Sequence, residues 1–194
     1  MENTLQVKDR ILVDQLTPRF GGYERGDIVV FRDPGGWLNP TPQPERPPIV
    51  EGVDWLLSIV GLSAPDSEDH LIKRIIGLPG DHVVCCDALG RIEVNGAPVD
   101  ETSYLKLPVD ETAVSSVEFD VTVPEGRLWV LGDNRYSSWD SRFHVDGPGK
   151  GFVPLDNVVG RAFLRTWPFD RFGGLGSIGS AFEGVPDATE SSAQ

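Results

Sequence analysis

The stretch HLIKRIIGLPGD, residues 70–81, decides the reading of this 194-residue chain. Leu71, Ile72, Ile75 and Ile76 are branched apolar residues, and Gly77, Pro79 and Gly80 punctuate their end as a strand running into a tight turn. Lys73 and Arg74 stand in the middle of that run. With a strand period of two, Lys73 shares a face with Leu71 and Ile75, whereas Arg74 points the other way with Ile72 and Ile76. A buried arginine keeps its proton and must find a carboxylate, while a buried lysine can become neutral. A lysine that is neutral near pH 7 is a general base. Taken alone, the stretch also fits an edge strand whose two cations snorkel to water.

Residues 126–142, GRLWVLGDNRYSSWDSR, bear on that choice. Residues 128–131 are a short apolar strand, and the loop after it is polar, turn-forming and dense in charge: Asp133, Asn134, Arg135, Ser137, Ser138, Asp140, Ser141 and Arg142. Carboxylates able to pair an arginine, next to hydroxyls able to orient an amine, are the complement that Lys73 and Arg74 require. Elsewhere, residues 10–13, 27–31, 82–86, 91–94, 119–123 and 158–164 read as short strands between glycine, proline and aspartate turns. Only residues 52–62 suggest a helix. The fold class expected is mainly β: an antiparallel β catalytic core, residues 1–81 and 125–172, with an inserted β cap lobe over residues 82–124. Within that lobe, Val94-Asn95-Gly96-Ala97-Pro98 is a turn signal.

In the order of their motifs, MENTLQVKDRILVDQL (residues 1–16), RGDIVVF (25–31), KRIIGLPGD (73–81) and GDNRYSSWDSR (132–142), the chain resembles type I signal peptidases, and the actinobacterial branch in particular. These are membrane-bound endopeptidases that use a serine and a lysine. The resemblance implies that Lys73 is the general base and that the Ser138 hydroxyl holds it. It also implies that Arg74 with Asp133, and Asp140 with Arg142, are supporting ion pairs. Met1 and Leu5, with Leu71 and Ile72, would line the substrate site. The family's nucleophilic serine would directly precede Met1, so the polypeptide as written is expected to be inactive. The expectation is a start assigned at an internal methionine, with a membrane anchor and the serine encoded upstream; a deliberate truncation and an inactive, peptide-binding paralogue are the alternatives. The implied partner is the signal-peptide region of exported preproteins, met at the cell membrane on its extracytoplasmic face, and no cofactor is implied.

A net charge of −13 and a pI near 4.5 argue against nucleic acid and against electrostatic attachment to anionic lipid. The longest apolar run, residues 55–62, is too short to span a bilayer, so any anchor is expected upstream. A self-cleaving repressor protease is disfavoured by the acidic charge and by the lack of a basic helix-turn-helix. Metal binding is not expected, because two cysteines and three histidines without ligand spacing make no site. Cys85 and Cys86 read as free thiols in preference to an adjacent-residue disulfide, given the restricted backbone distances a disulfide allows. A Ser-His-Asp triad built on His144, close to Asp140 and Asp146, is a rival to the lysine. His144, however, leads into the glycine- and proline-rich VDGPGKGF and reads as solvated, whereas Lys73 alone among the four lysines lies in a strong apolar strand pattern.

The proline-rich insertion of residues 33–69 carries Trp37 and Trp55 and reads as a surface loop whose apolar helix covers the core. The alternative is an interfacial contact, because tryptophan favours the headgroup region. Residues 173–194 have too little apolar surface to fold alone and are expected to be a disordered tail.

Overall fold

The computed structural model describes residues 1–38, 69–176 and 178–188. Its frame is antiparallel β. Strands β1 (Arg10–Asp14), β2 (Ile28–Arg32), β3 (His70–Gly77), β8 (Arg127–Leu131), β9 (Val153–Pro154) and β10 (Val158–Trp167) form the main sheet. They lie in the order β1-β10-β2-β3-β8-β9, and β11 (Gly173–Gly174) adds to β10. A second sheet has the order β6-β5-β4-β7, from β4 (His82–Cys85), β5 (Ile92–Val94), β6 (Ala97–Pro98) and β7 (Phe119–Thr122). It falls within the segment where the inserted lobe is expected. The three two-residue strands β6, β9 and β11 escape periodicity, which needs several alternations to register.

The strand at residues 70–77 lies between β2 and β8 with Lys73 and Arg74 both buried, which overturns the alternative in which the two cations reach water. It pairs β2 along Leu71, Ile72, Lys73 and Arg74, and β8 from Arg74 onward. Its side chains divide as the period of two predicts. Leu71 and Ile75 join Val29, Phe31, Leu128 and Val130 in one apolar cluster; Ile72 packs with Leu5 and Ile28, and Ile76 with Trp129 and Leu131. Strands covered on both faces force Lys73 and Arg74 indoors, where each must be compensated.

The second sheet does not enclose a separate core. Val83, Ile92, Val94 and Phe119 bury themselves with Ile76, Trp129 and Leu131 of the main sheet. The β5–β6 hairpin closes over Asn95 and Gly96, both at positive φ (52° and 78°), as a two-residue loop of the right twist demands. Asn95 is also buried and useful: its Nδ2 donates to Asp81 at 2.9 Å and to the Pro186 carbonyl at 2.8 Å.

Three expectations are corrected. Residues 173–176 and 178–188 do not form a loose tail. Leu175, Ala181 and Phe182 are buried, and the Pro186 carbonyl receives both Asn95 and Arg25. The few apolar residues there suffice because they fill a site already formed by the two sheets instead of making a core of their own. Cys85 and Cys86 are joined in a disulfide, the peptide bond between them being cis, which brings their Cα atoms to 2.9 Å. The distance argument for free thiols describes cysteines on separate stretches of backbone, and chain neighbours fall outside it. The third concerns helix: among the described residues a short α-helical turn, α1 (Thr17–Gly21), has Pro18 in its first turn, a position where the missing N–H costs nothing. The helix expected at residues 52–62, together with Trp55, lies outside the described residues. Trp37, at the start of that insertion, is buried against Phe31.

Candidate active site

Lys73 and Ser138, 65 residues apart in sequence, meet in the interior with Nζ 3.0 Å from Oγ. Only 9% of Lys73 and 7% of Ser138 is exposed. Burial pulls the lysine's pKa below its ordinary 10.5; Asp140 opposes that shift, Arg142 adds to it and Asp133 opposes it. Loss of hydration dominates, so the fold favours the neutral amine.

The loop after β8 brings Ser138 to the amine because its other side chains are tied to backbone. Asp140 is fully buried and accepts Arg142 Nε at 2.8 Å, Arg142 Nη2 at 2.9 Å and the Gly132 N–H at 3.0 Å. It also bonds to Ser138. Burial opposes ionisation of Asp140, but Arg142, the Gly132 amide and Ser138 together hold its pKa below the usual carboxylate value. A hydroxyl that donates to this carboxylate has its lone pairs left for the lysine. Gly132 makes the approach feasible: a Cβ at that position would stand 2.6 Å from Ser138 Cβ and 3.7 Å from Lys73 Nζ. Ser141 braces the same loop by accepting the Val130 N–H at 3.0 Å.

Arg74, on the opposite face of β3, grips Asp133 through Nε at 2.8 Å and Nη2 at 2.7 Å, and gives Nη1 to the Gly26 carbonyl at 2.6 Å. Its guanidinium lies 4.3 Å over the Tyr104 ring. Thus both ion pairs expected from the sequence form, and a third joins them. Arg135, also buried, pairs Glu101 of the second sheet's loops, with Nη1 2.9 Å from Oε2, and donates Nε to the Gly132 carbonyl at 3.0 Å. Tyr104 donates to the same Glu101. Sequence reasoning found Arg135 but neither Glu101, Tyr104 nor Gly132. A third arginine in the loop signals a third carboxylate, yet nothing local says which of 30 acidic residues supplies it.

Met1, Leu5 and Ile72 share an apolar cluster with Ile28, Ala162 and Leu175, whereas Leu71 lies apart from them on the Lys73 face, against Phe31 and Trp37. Burial first, and then the charge of Lys73, lower the pKa of the Met1 amino group. His144 does not stand free in solvent as the sequence suggested. It is half-buried, stacked on Trp37 at 4.3 Å with ring planes 8° apart, and burial lowers its pKa. Its Nε2, the nitrogen that a triad histidine turns toward the nucleophile, is buried without a partner among the described residues. Among the described residues no group of three or more His, Cys, Asp or Glu could hold a metal ion, and no helix is long and apolar enough to cross a membrane.

A desolvated amine held on a serine hydroxyl has the chemistry to take a proton from a neighbouring group. Among known proteins, the family model described as signal peptidase, peptidase S26, matches residues 1–167. The chain belongs to this signal peptidase family. It is 42% identical to a probable signal peptidase I of Mycobacterium leprae, over 93% of this chain and 70% of that protein. To the signal peptidase I of Mycobacterium tuberculosis it is 40% identical, over 92% of this chain and 65% of that protein. The chain therefore spans about two thirds of the length of these relatives. A crystal structure of a signal peptidase I from Enterococcus faecalis V583 is 26% identical with a TM-score of 0.44, covering 72% of this chain and 95% of that one.

Proposed function

We propose that this chain forms the catalytic domain of a signal peptidase I, which cleaves signal peptides from exported preproteins by a serine–lysine mechanism. The observation that carries the reading is the buried Lys73 amine, 3.0 Å from Ser138 Oγ and biased by burial toward its neutral form. In this reading the nucleophile is a serine bonded directly to the Met1 nitrogen, a group whose pKa is lowered first by burial and then by the charge of Lys73. The serine hydroxyl attacks the scissile carbonyl as Lys73 takes its proton, and Ser138 fixes the direction of the amine's lone pair. The protonated lysine then gives that proton to the departing amine. In the second half it deprotonates water, which attacks the ester and releases the serine.

The substrate segment adds as a strand. Leu71, Ile72 and Lys73 pair β2 on one side, but β8 begins only opposite Arg74, so the other side of this part of β3 carries no strand among the described residues. Met1, Leu5 and Ile72 supply apolar walls that admit small residues one and three positions before the cut. The preprotein and an upstream anchor would bring the domain to the extracytoplasmic face of the membrane.

The test adds a serine directly before Met1 and measures cleavage of a peptide with a small-x-small site. Turnover is expected, and Lys73→Ala or replacement of the added serine by alanine abolishes it. Turnover that survives Lys73→Ala, or that disappears in His144→Ala, would instead assign the base to histidine.

A further inference from the structure

The segment between Met1 and Asp9 has no strand or α-helix of its own, yet it is held by four separate parts of the molecule. Thr4 Oγ1 donates to Asp133 Oδ2, the same carboxylate that Arg74 grips from β3. Asn3 Nδ2 donates to the Tyr104 carbonyl at 2.9 Å, and Arg165 Nη1, from β10, to the Thr4 carbonyl at 2.8 Å. Arg171 Nη1 holds both oxygens of Asp9, at 2.8 and 2.9 Å, and Asp9 in turn accepts the Gln6 N–H. Leu5 is buried beneath this set, and the Met1 amine lies in the field of Lys73.

Asp133 is therefore a shared anchor. Arg74, one residue after the lysine, and Thr4, three residues after Met1, meet on its two oxygens. From this geometry we propose that Thr4 is a positioning residue, fixing the position before Met1 relative to Lys73 through the common Asp133 carboxylate. The proposal rests on the functional reading above for its catalytic meaning, but the anchoring itself does not. Arg74 and Asp133 keep their two mutual hydrogen bonds when Thr4 is altered, so the fold retains its buried pair. What is lost is the alignment of the first turn. A misplacement of about 1 Å in a reacting group can cost about 100-fold in rate.

The experiment compares Thr4→Val, which keeps the shape and loses the donor, with Thr4→Ser, which keeps the donor. In the chain itself, amide exchange of residues 2–5 is expected to accelerate in Thr4→Val. The Lys73 amine, followed by NMR on labelled lysine, should titrate closer to the ordinary 10.5. In the serine-bearing form, Thr4→Val should lower kcat by about 10- to 100-fold with KM within about twofold. Thr4→Ser should restore both readouts. Unchanged exchange and titration in Thr4→Val, or equal damage from Thr4→Ser, would overturn the proposal. An inactive serine-bearing parent alongside altered exchange and titration would overturn the functional reading and leave the anchoring standing. Full kcat in Thr4→Val, with an active parent, would overturn the positioning role and leave the functional reading standing.

Discussion

Gly132→Ala tests the site where its geometry is least forgiving. Gly132 does not have a positive φ, so alanine suits its backbone; what it lacks is space. The added Cβ would fall 2.6 Å from Ser138 Cβ, with Ser138 Oγ closer still. Carbon atoms rest about 3.5–4.0 Å apart. Ser138 must therefore retreat by about 1 Å, and because Asp140, two residues on, is tied to the Gly132 amide and Arg142, the loop has little freedom to follow. The 3.0 Å contact to Lys73 breaks. Overpacking of this kind costs about 1–3 kcal/mol of stability, and a 1 Å displacement about 100-fold in rate. The serine-bearing chain would be assayed on a small-x-small peptide, with urea denaturation in parallel. A second variant isolates the cause. Ser138→Gly removes both clashing atoms, so Gly132→Ala combined with Ser138→Gly should be no slower than Ser138→Gly alone. Wild-type turnover in Gly132→Ala, or fully additive losses in the pair, would refute the reasoning.

Because the fold lowers the proton affinity of Lys73, the unfolded chain binds more protons between the depressed native pKa and 10.5, so Lys73 makes stability rise with pH across that window. Lys73→Met should flatten this part of the stability profile, and an unchanged slope by denaturant unfolding would count against a desolvated amine. For the same reason, turnover of the serine-bearing form should fall as pH drops through the native lysine pKa. Asp140→Asn removes the charge paired with buried Arg142 and should cost about 3–5 kcal/mol, read from the urea midpoint at constant m-value. Phe182→Ala should lower stability by about 3–5 kcal/mol, the range for a buried phenylalanine; no loss would mean that this segment is not docked in solution.

The strand at residues 70–77, its division of Lys73 from Arg74 and the need of each for a partner were legible in the sequence because they depend on local periodicity and on the cost of burying charge. The loop at residues 132–142 was legible as their complement for the same reason. Partner choice is another matter. That Asp133 rather than another carboxylate serves Arg74, that Glu101 closes on Arg135, and that Thr4 reaches Asp133 across 129 residues depend on where three-dimensional packing brings distant segments. The docking of Phe182 was hidden because its hydrophobic surroundings belong to other strands, so no window around it contains a core. His144 read as solvated because its local context is polar, while the ring that covers it, Trp37, lies 107 residues earlier. Chemistry written into residue types and their spacing was available from the sequence alone, whereas distances between groups far apart in the chain were decided only when the two sheets packed together.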